Sequence, residues 1–375
     1  MKEIKRIVIT GGPCGGKTEG ISYVREKLAE HGWFALEVRE SATELQRSGL
    51  ILNAGHIDPL SLARHITRMQ IEKENRFHNI ANDLAHQKIV LLHDRGLMDV
   101  QAYISPTEFV SLLAAMQKTM PEMRDMRYDA VFHCVSAAIG AEDFYNTATN
   151  KARYETPEEA RERDRKTQNA WVGHPHLRVI DNSTDFAGKK ERLYAGVCRA
   201  LGIPEPREIQ QKYIIKKPNI ASIAKKWGIH FAAIDVEQIY LISRDGLQKR
   251  IRKGGQNGSY TYYICEKREV KPGVRMEEGK KINDIAYSHY ALNERAPKKD
   301  IIRKTRYYFL WKGQYFELDI FKEPKRLKGT ALLEIELENE NDSVSLPPFL
   351  EVIREITDDP KFTNYALAES TENNK

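Results

Sequence analysis

Cysteine is scarce in this chain. Cys14, Cys134, Cys198 and Cys265 are its four cysteines among 375 residues, and they show neither a C-x-x-C pair nor the Cys/His spacing of a zinc site. That excludes a disulfide framework, and a reducing cytoplasm is the expected compartment. Long apolar runs are missing too, so no segment is predicted to span a bilayer. The opening MKEIKRIVIT lacks a signal peptide's apolar stretch and leads directly into what reads as a strand. There is no zinc finger, RRM-like aromatic signature or long Lys/Arg block, hence no strong nucleic-acid signal. No internal repeat is evident.

What is present suits a folded globular protein: 41% hydrophobic and 30% charged residues, with a mean hydropathy of -0.57. The length exceeds the ~100–200 residues of one ordinary domain, so at least two cores are expected. A formal net charge of +6 and a pI near 8.9 favour anionic ligands in a general way. Nucleotides, polyphosphates, nucleic acids and acidic lipids all qualify.

Residues 4–10 form a β-branched apolar run typical of a buried parallel strand, and helical spacing follows over 18–30. Further strands are predicted at 34–39, 89–93, 128–135 and 177–180. A long helix is predicted over 61–88, with apolar positions at Ile66, Met69, Ile80 and Leu84. Strands alternating with helices imply a parallel α/β sheet, which binds ligands at its strands' carboxyl ends. The stretch GIPEPRE, residues 202–208, carries two prolines after a helix ending near Leu201 and reads as a boundary. Beyond it, runs such as EQIYLI, SYTYYICEK, RKTRYYFLW, QYFELDIF and LLEIELE alternate like antiparallel strands. The expected organisation is an α/β domain over 1–201, a linker over 202–207, a mainly antiparallel β domain over 208–360 and a polar tail over 361–375. Residues 347–356 read as a closing helix, and the tail from Glu369 as frayed.

The sequence Gly11-Gly12-Pro13-Cys14-Gly15-Gly16-Lys17-Thr18 matches G-x-x-x-x-G-K-[ST] between a predicted strand and a predicted helix. Glycines let backbone N–H groups close around phosphates, and the helix N-terminus adds a favourable dipole. Lys17 is placed to reach the β/γ oxygens and the Thr18 hydroxyl to ligate Mg²⁺. Cys14 reads as a small residue filling a loop position. Asp94, ending the run IVLLHD, is placed to hold magnesium through water; a strand-end Asp capping the next turn is the bland alternative, a role Asp99 can also take. Glu40 suits a residue that orients water or a substrate hydroxyl, and equally a salt-bridged carboxylate. The charged segment NKARYETPEEARERDRK is either a solvated helix or a lid closing on phosphates through Arg153, Arg161 and Arg165. The run VIDNSTDF ends a strand at Asp181 and Asn182, where nucleotide kinases often contact the base. His174 and His176 read as packed or hydrogen-bonded, since no third metal ligand accompanies them.

VRESATEL, VLLHDRGLMD, the 153–164 segment and VIDNSTDF resemble recurring blocks of the AAA-type P-loop group that joins bacterial nicotinamide riboside kinase to the TRPL translocation-defect protein. The resemblance covers roughly the first half of the chain and implies a nucleoside or nucleotide kinase-like core, with ATP or GTP and Mg²⁺ as ligands.

In the second half, charged residues alternate along strands: Glu208 and Lys212, Arg250 and Arg252, Lys304 and Arg306, Glu317 and Asp319, Glu334 and Glu336. A spacing of two puts each pair on one face, which on pattern alone is the solvated face of an ordinary sheet. EIQQKYII, EQIYL, RIR, ICEK, KTR, ELDIF and LLEIELE, in this order, resemble the CYTH family of triphosphate tunnel proteins. The resemblance implies an eight-stranded barrel whose basic residues grip a triphosphate and whose acidic residues hold a divalent metal, Mg²⁺ or Mn²⁺. It assigns Lys212, Arg250, Arg252, Lys267, Lys304 and Arg306 to the phosphates, and Glu208, Asp319, Glu334 and Glu336 to the metal. The family's opening E-x-E-x-K stands here as Glu208-Ile209-Gln210-Gln211-Lys212. Neutral Gln210 replaces the second carboxylate, which weakens metal binding and leaves anion binding better preserved. Residues 273–293, including Arg275, Glu277 and Glu278, stay unassigned.

The leading expectation is therefore a P-loop domain that binds Mg-ATP or Mg-GTP and hydrolyses it or transfers its γ-phosphoryl group, joined to a barrel that binds a phosphorylated small molecule. A metal-dependent triphosphatase or pyrophosphatase acting in the tunnel is a second expectation. A nucleotide-regulated module for acidic phospholipid or a trafficking partner is a third. ATP against GTP, the phosphoryl acceptor and the oligomeric state are left open at this level.

Overall fold

The computed structural model describes residues 2–370 except 51–54, 56, 146–155, 205–206, 244–246, 272–273, 338 and 340. Its contacts divide the chain into two units, Met1–Ile203 and Pro204–Lys375. The first unit runs β1 (Glu3–Gly11), α1 (Lys17–Ala29), β2 (Phe34–Val38), α2 (Ser41–Arg47), α3 (Pro59–Asp83), β3 (Lys88–Asp94), α4 (Pro106–Ala115), α5 (Met120–Arg124), β4 (Ala130–Cys134), α6 (Pro157–Ala170), β5 (Leu177–Ile180) and α7 (Phe186–Ala200). Its strands form one five-stranded sheet, ordered β2-β3-β1-β4-β5, with every pairing parallel. The apolar strand runs explain this: Ile7, Val8, Ile9, Val90, Leu91 and Leu92 are fully buried, as a sheet covered by helices on both faces requires. The central strand β1 places Ile9 beside Asp94 on β3 and Gly11 beside Cys134 on β4. The chain leaves β1 at the point where strand order changes direction, the ordinary ligand crevice of such sheets.

The long helix begins earlier and ends sooner than its spacing predicts. Asp58 caps it by accepting from Ser61 N at 2.9 Å, with Pro59 in its first turn, a start signal in its own right. Leu84 is extended (ψ 149), which ends the helix and leaves Lys88 to open β3.

The second unit comprises β6 (Arg207–Ile215), α8 (Ile220–Trp227), β7 (Ala232–Tyr240), β8 (Gln248–Gln256), β9 (Ser259–Lys271), β10 (Val274–Ile282), α9 (Asp284–Asn293), β11 (Ile302–Trp311), β12 (Gln314–Glu323), β13 (Ala331–Leu337), β14 (Val352–Glu355) and α10 (Asn364–Leu367). Strand order is β10-β9-β8-β7-β11-β12-β13-β6-β14, and β10 also pairs with β6. That last pairing closes β10 through β6 into an antiparallel barrel of eight strands, with β14 outside it. Strand β6 shares one edge: residues 207–209 pair with β10 and residues 213–215 with β14. Alternate side chains consequently face the lumen, as barrel closure demands.

The closing helix expected at 347–356 is absent. Strand β14 occupies its second half, where it pairs antiparallel with β6 and Val352-Ile353 suit an extended edge pairing. Residues 361–370 of the tail are also more ordered than their polarity suggests, and residues 371–375 lie outside the described residues. Leu367 and Ala368 are buried and pack with Tyr240, Ile302, Phe321 and Leu332, which lie near the same end of their antiparallel strands. This apolar cluster fills that end of the barrel, and residues 356–368 contribute to it.

Candidate functional site

The loop between β1 and α1 is shaped by contacts that only glycine tolerates. Gly11 has φ 145, and a Cβ there would meet Cys134 O at 2.0 Å. A Cβ on Gly12 would meet Asp164 Oδ1 at 2.5 Å. The loop then turns through left-handed Cys14 and Gly16 into α1, whose first residue is Lys17. Lys17 Nζ donates to the carbonyls of Gly12 at 3.0 Å and Gly11 at 3.3 Å. Burial lowers the pKa of its ammonium and Arg95 adds repulsion, while Asp94 and Glu40 oppose the shift.

Residues Pro13 to Thr18 line a cavity of ≈ 1380 Å³ that also takes in Asp94, Arg95, Glu40, Asn182, Phe186 and Arg163. Asp94, at the end of β3, is the electrostatic counterpart of Lys17. Burial pushes its carboxyl up to about 6, with Lys17 and Arg95 pulling the other way. Its Oδ1 is buried without a hydrogen-bond partner. Such an orphaned oxygen, in a cavity that Thr18 also lines, fits a divalent cation. Mg²⁺ commonly takes one or two carboxylates and completes its shell with substrate phosphates and water.

The capping role at this turn belongs to Asp99. It accepts from Gly96 N at 2.8 Å, from Trp171 Nε1 at 3.3 Å and from Thr10 Oγ1, and it ion-pairs with Arg95 at 3.3 Å. Asp94 is thereby left free of that duty. Arg95 Nε also contacts Glu40 Oε1 at 2.9 Å, and Glu40 accepts from Thr43 Oγ1 at 2.8 Å. Glu40 is thus a salt-bridged carboxylate that lines the cavity. Arg39, Glu44, Arg47, Leu62 and Ile66 line the same cavity.

Within the charged segment, the residues from Pro157 belong to α6, opened by a capping box of Thr156 and Glu159. Arg153 lies outside the described residues. Arg161 donates to Ala138 O at 2.8 Å and to Glu158 and is not among the cavity-lining residues. Arg165 pairs with Glu162 on the surface. The arginine of α6 that does line the cavity is Arg163, which donates to Ala102 O and stacks 4.1 Å over the Tyr103 ring. The next helical position is as informative. Asp164 is buried behind the loop, where its Oδ1 accepts from Gly12 N at 2.9 Å and Ser136 N at 2.8 Å and its Oδ2 lies 3.1 Å from His133 Nε2.

Asn182 lines the cavity, but its amide is already committed. Nδ2 donates to Ser136 O at 2.9 Å and Ile139 O at 2.7 Å, and Oδ1 accepts from Lys189 Nζ at 2.7 Å. It therefore shapes the wall. Phe186 offers an exposed ring against Gly16 and is the apolar face of that wall. His174 is buried and hydrogen-bonded to Tyr128 O and His176 N, as expected for a packed histidine.

In the second unit, lumen-facing positions form a charged belt next to the apolar end. Lys212, Arg250, Lys267, Lys304, Arg306, Asp319, Glu334 and Gln210 are all buried. Asp319 is the hub: Lys304 Nζ lies 2.5 Å from its Oδ2, and Arg306 grips it bidentately at 2.7 and 2.6 Å. Glu334 ion-pairs with Lys212 at 3.0 Å and Arg306 at 3.5 Å, while Glu317 contacts Arg306. Burial alone would raise Asp319 and Glu334, yet these cations hold both below the usual carboxylate range. Burial pulls Lys304 down to about 8 against the pull of Asp319. Arg252 Nη2 donates to Tyr308 OH at 3.3 Å. Glu336 stands opposite Gln210 in the ladder. The side chain of Glu208 lies outside the described part.

Residues 6–189 match the AAA domain family model. The chain is a two-domain protein, an AAA-type P-loop domain followed by the closed barrel. No curated protein matches its sequence. Among solved structures, the inorganic triphosphatase NE1496 is similar at 27% identity, over 44% of this chain and 95% of its own, with a TM-score of 0.31. The PH1012 protein from Pyrococcus horikoshii OT3 is similar at 20% identity over 36% and 80%, with a TM-score of 0.27. The PH1819 protein from the same organism is similar at 19% identity over 36% and 80%, with a TM-score of 0.28.

Within the AAA domain the fold gathers the P-loop, Asp94, Glu40 and Asn182 around one cavity. It leaves Arg161 and Arg165 off that cavity. Asp164 and Arg163 were not singled out from sequence, since a helix dense in both charge signs gives no clue to which residues turn inward. Helical phasing alone offered one: Ala160, Asp164 and Thr167 share the buried face. Among the described residues no helix is long and apolar enough to cross a membrane.

Proposed function

We propose that the AAA domain binds Mg-ATP or Mg-GTP and transfers or hydrolyses its γ-phosphoryl group, and that the barrel binds a phosphorylated small molecule. The observation that carries this reading is the single cavity of ≈ 1380 Å³ holding Lys17, Thr18, Asp94 and Glu40. It exceeds the ~300–1,000 Å³ typical of one small-molecule site, leaving room for an acceptor beside the nucleotide. Bound Mg²⁺ would neutralise the β/γ-phosphate charge from Thr18 and Asp94. Lys17 would exchange its loop carbonyls for phosphate oxygens, and the loop amides and α1 dipole would hold the remaining charge. Glu40, held by Arg95, would accept a proton from an acceptor hydroxyl or a water.

The test is nucleotide binding and turnover by Lys17→Ala: both are expected to fall at least tenfold, and a variant that keeps both would refute the reading. The competing assignment, a triphosphatase in the barrel, predicts activity that survives Lys17→Ala and disappears in Glu334→Ala.

A further inference from the structure

The barrel's acidic residues are expected by resemblance to hold a divalent metal, and their surroundings argue against that. Asp319 is fully buried, and both its oxygens are taken by Lys304 and Arg306 at 2.5 to 2.7 Å. Glu334 has Lys212 and Arg306 on its two oxygens, and Glu317 has Arg306. A divalent cation entering here would have to displace these partners and then sit among the ammonium and guanidinium groups it displaced. Gln210, opposite Glu336, brings no charge to offset that repulsion. Among the described residues no group of three His, Cys, Asp or Glu side chains is arranged to hold a metal ion.

The cations are arranged differently. Arg252 Nη2 donates to Tyr308 OH at 3.3 Å, and Tyr308 lies two residues from Arg306 on β11, so guanidinium groups from β8 and β11 are brought together on the lumen face of the sheet. Like charges brought together in a buried space are costly unless an anion joins them. Asp319 and Glu334 fix the Lys304, Arg306 and Lys212 side chains in place, and charge-assisted bonds of this length set geometry as well as energy. The Lys304 ammonium is held twice, since its Nζ also donates to Asn364 Oδ1 at 3.2 Å, within the segment that fills the barrel end.

We propose that the barrel binds a di- or triphosphate group through its Lys and Arg side chains alone, with its carboxylates positioning those cations in place of a metal. This rests on the barrel being an anion site, as read above. The experiment is calorimetric titration of tripolyphosphate into the full chain carrying Lys17→Ala, which silences the P-loop, in EDTA and in excess Mg²⁺. The expected result is saturable binding with affinities within about threefold of each other in the two buffers. Arg252→Gln and, separately, Arg250→Gln on the same background should weaken binding at least tenfold in both, with unchanged thermal unfolding showing that the barrel still folds. Binding at least tenfold tighter in Mg²⁺ than in EDTA would overturn the metal-free site while leaving the anion site standing. Absence of binding in both buffers would instead remove the anion site, and the inference with it.

Discussion

Replacing Asp164 by Ala should disorder the phosphate loop from behind, without touching any atom that faces a nucleotide. Its Oδ1 accepts from Gly12 N and Ser136 N at 2.9 and 2.8 Å, and these donors have no water to turn to in a buried site. Each buried N–H left without an acceptor costs about 1–3 kcal/mol, so the pair should cost about 4 kcal/mol. At roughly 2–4 °C per kcal/mol for a unit of this size, melting should drop by about 8–16 °C. Burial opposes ionisation of Asp164, but His133 and the two amides hold its carboxyl below the ordinary value. Its contribution is therefore fully present at neutral pH and lost only as pH falls below the usual Asp range. Asp164→Asn keeps an oxygen for both amides and should lose about 1 kcal/mol or less, the difference between a charged and a neutral acceptor. Thermal unfolding and nucleotide titration of the two variants check this, with at least tenfold weaker nucleotide binding expected for Ala. If Asp164→Ala melted within about 2 °C of the wild type and bound nucleotide equally well, the buried bonds would not be what shapes the loop.

Other outcomes follow from the same contacts. Glu40→Gln should leave nucleotide binding within about threefold and lower turnover by about 10²–10⁴-fold if Glu40 takes the proton; unchanged turnover in a steady-state assay would reduce it to a partner of Arg95. Lys304 faces Asp319 on β12, Arg306 on its own strand, Glu334 on β13 and Asn364 on α10, and burial brings it down to about 8. Its ammonium is present below that pH and lost above it, so tripolyphosphate binding should weaken as pH rises through about 8, and a flat profile from pH 7 to 9 would exclude Lys304 from the site. Leu367→Ala opens a void beside Tyr240, Phe321 and Leu332 and should cost about 2–5 kcal/mol of barrel stability by denaturant unfolding.

The parallel sheet was legible because its strands are short runs of apolar, often β-branched residues buried on both faces, a pattern the chain uses at Ile7, Val8 and Ile9 and again from Ile89 to Leu92. The barrel was legible from residue pattern as alternation and its eight-stranded closure only through the family resemblance, since pairing of β10 with β6 joins Arg275 to Glu208 across a distance in sequence that no local pattern encodes. Helices α8 and α9 were hidden among strands, although Asn219 and Asn283 cap them by accepting from Ser222 N and Ala286 N. A single Asn before a short apolar stretch reads as a turn as readily as a cap.

The sharpest gap between pattern and geometry concerns the barrel's carboxylates. A spacing of two places Glu317 with Asp319 and Glu334 with Glu336 on one face, and nothing in that spacing says which charges will be neighbours. The ladder decides it. Register sets Arg306 opposite Asp319 and Lys212 opposite Glu334, so these two carboxylates meet a cation directly across a strand pair, where opposite charges are nearest, while Glu317 stands opposite Tyr308 and Glu334 and Glu336 opposite Gln210. Lys304 reaches the same Asp319 from one pleat further along β11. Had register slipped by two residues, the same sequence would have kept every side chain on its face and brought different charges together. The assignment of carboxylates to metal or to cations is thus a property of strand register, and the effect of Mg²⁺ on tripolyphosphate binding is the measurement that reads it out.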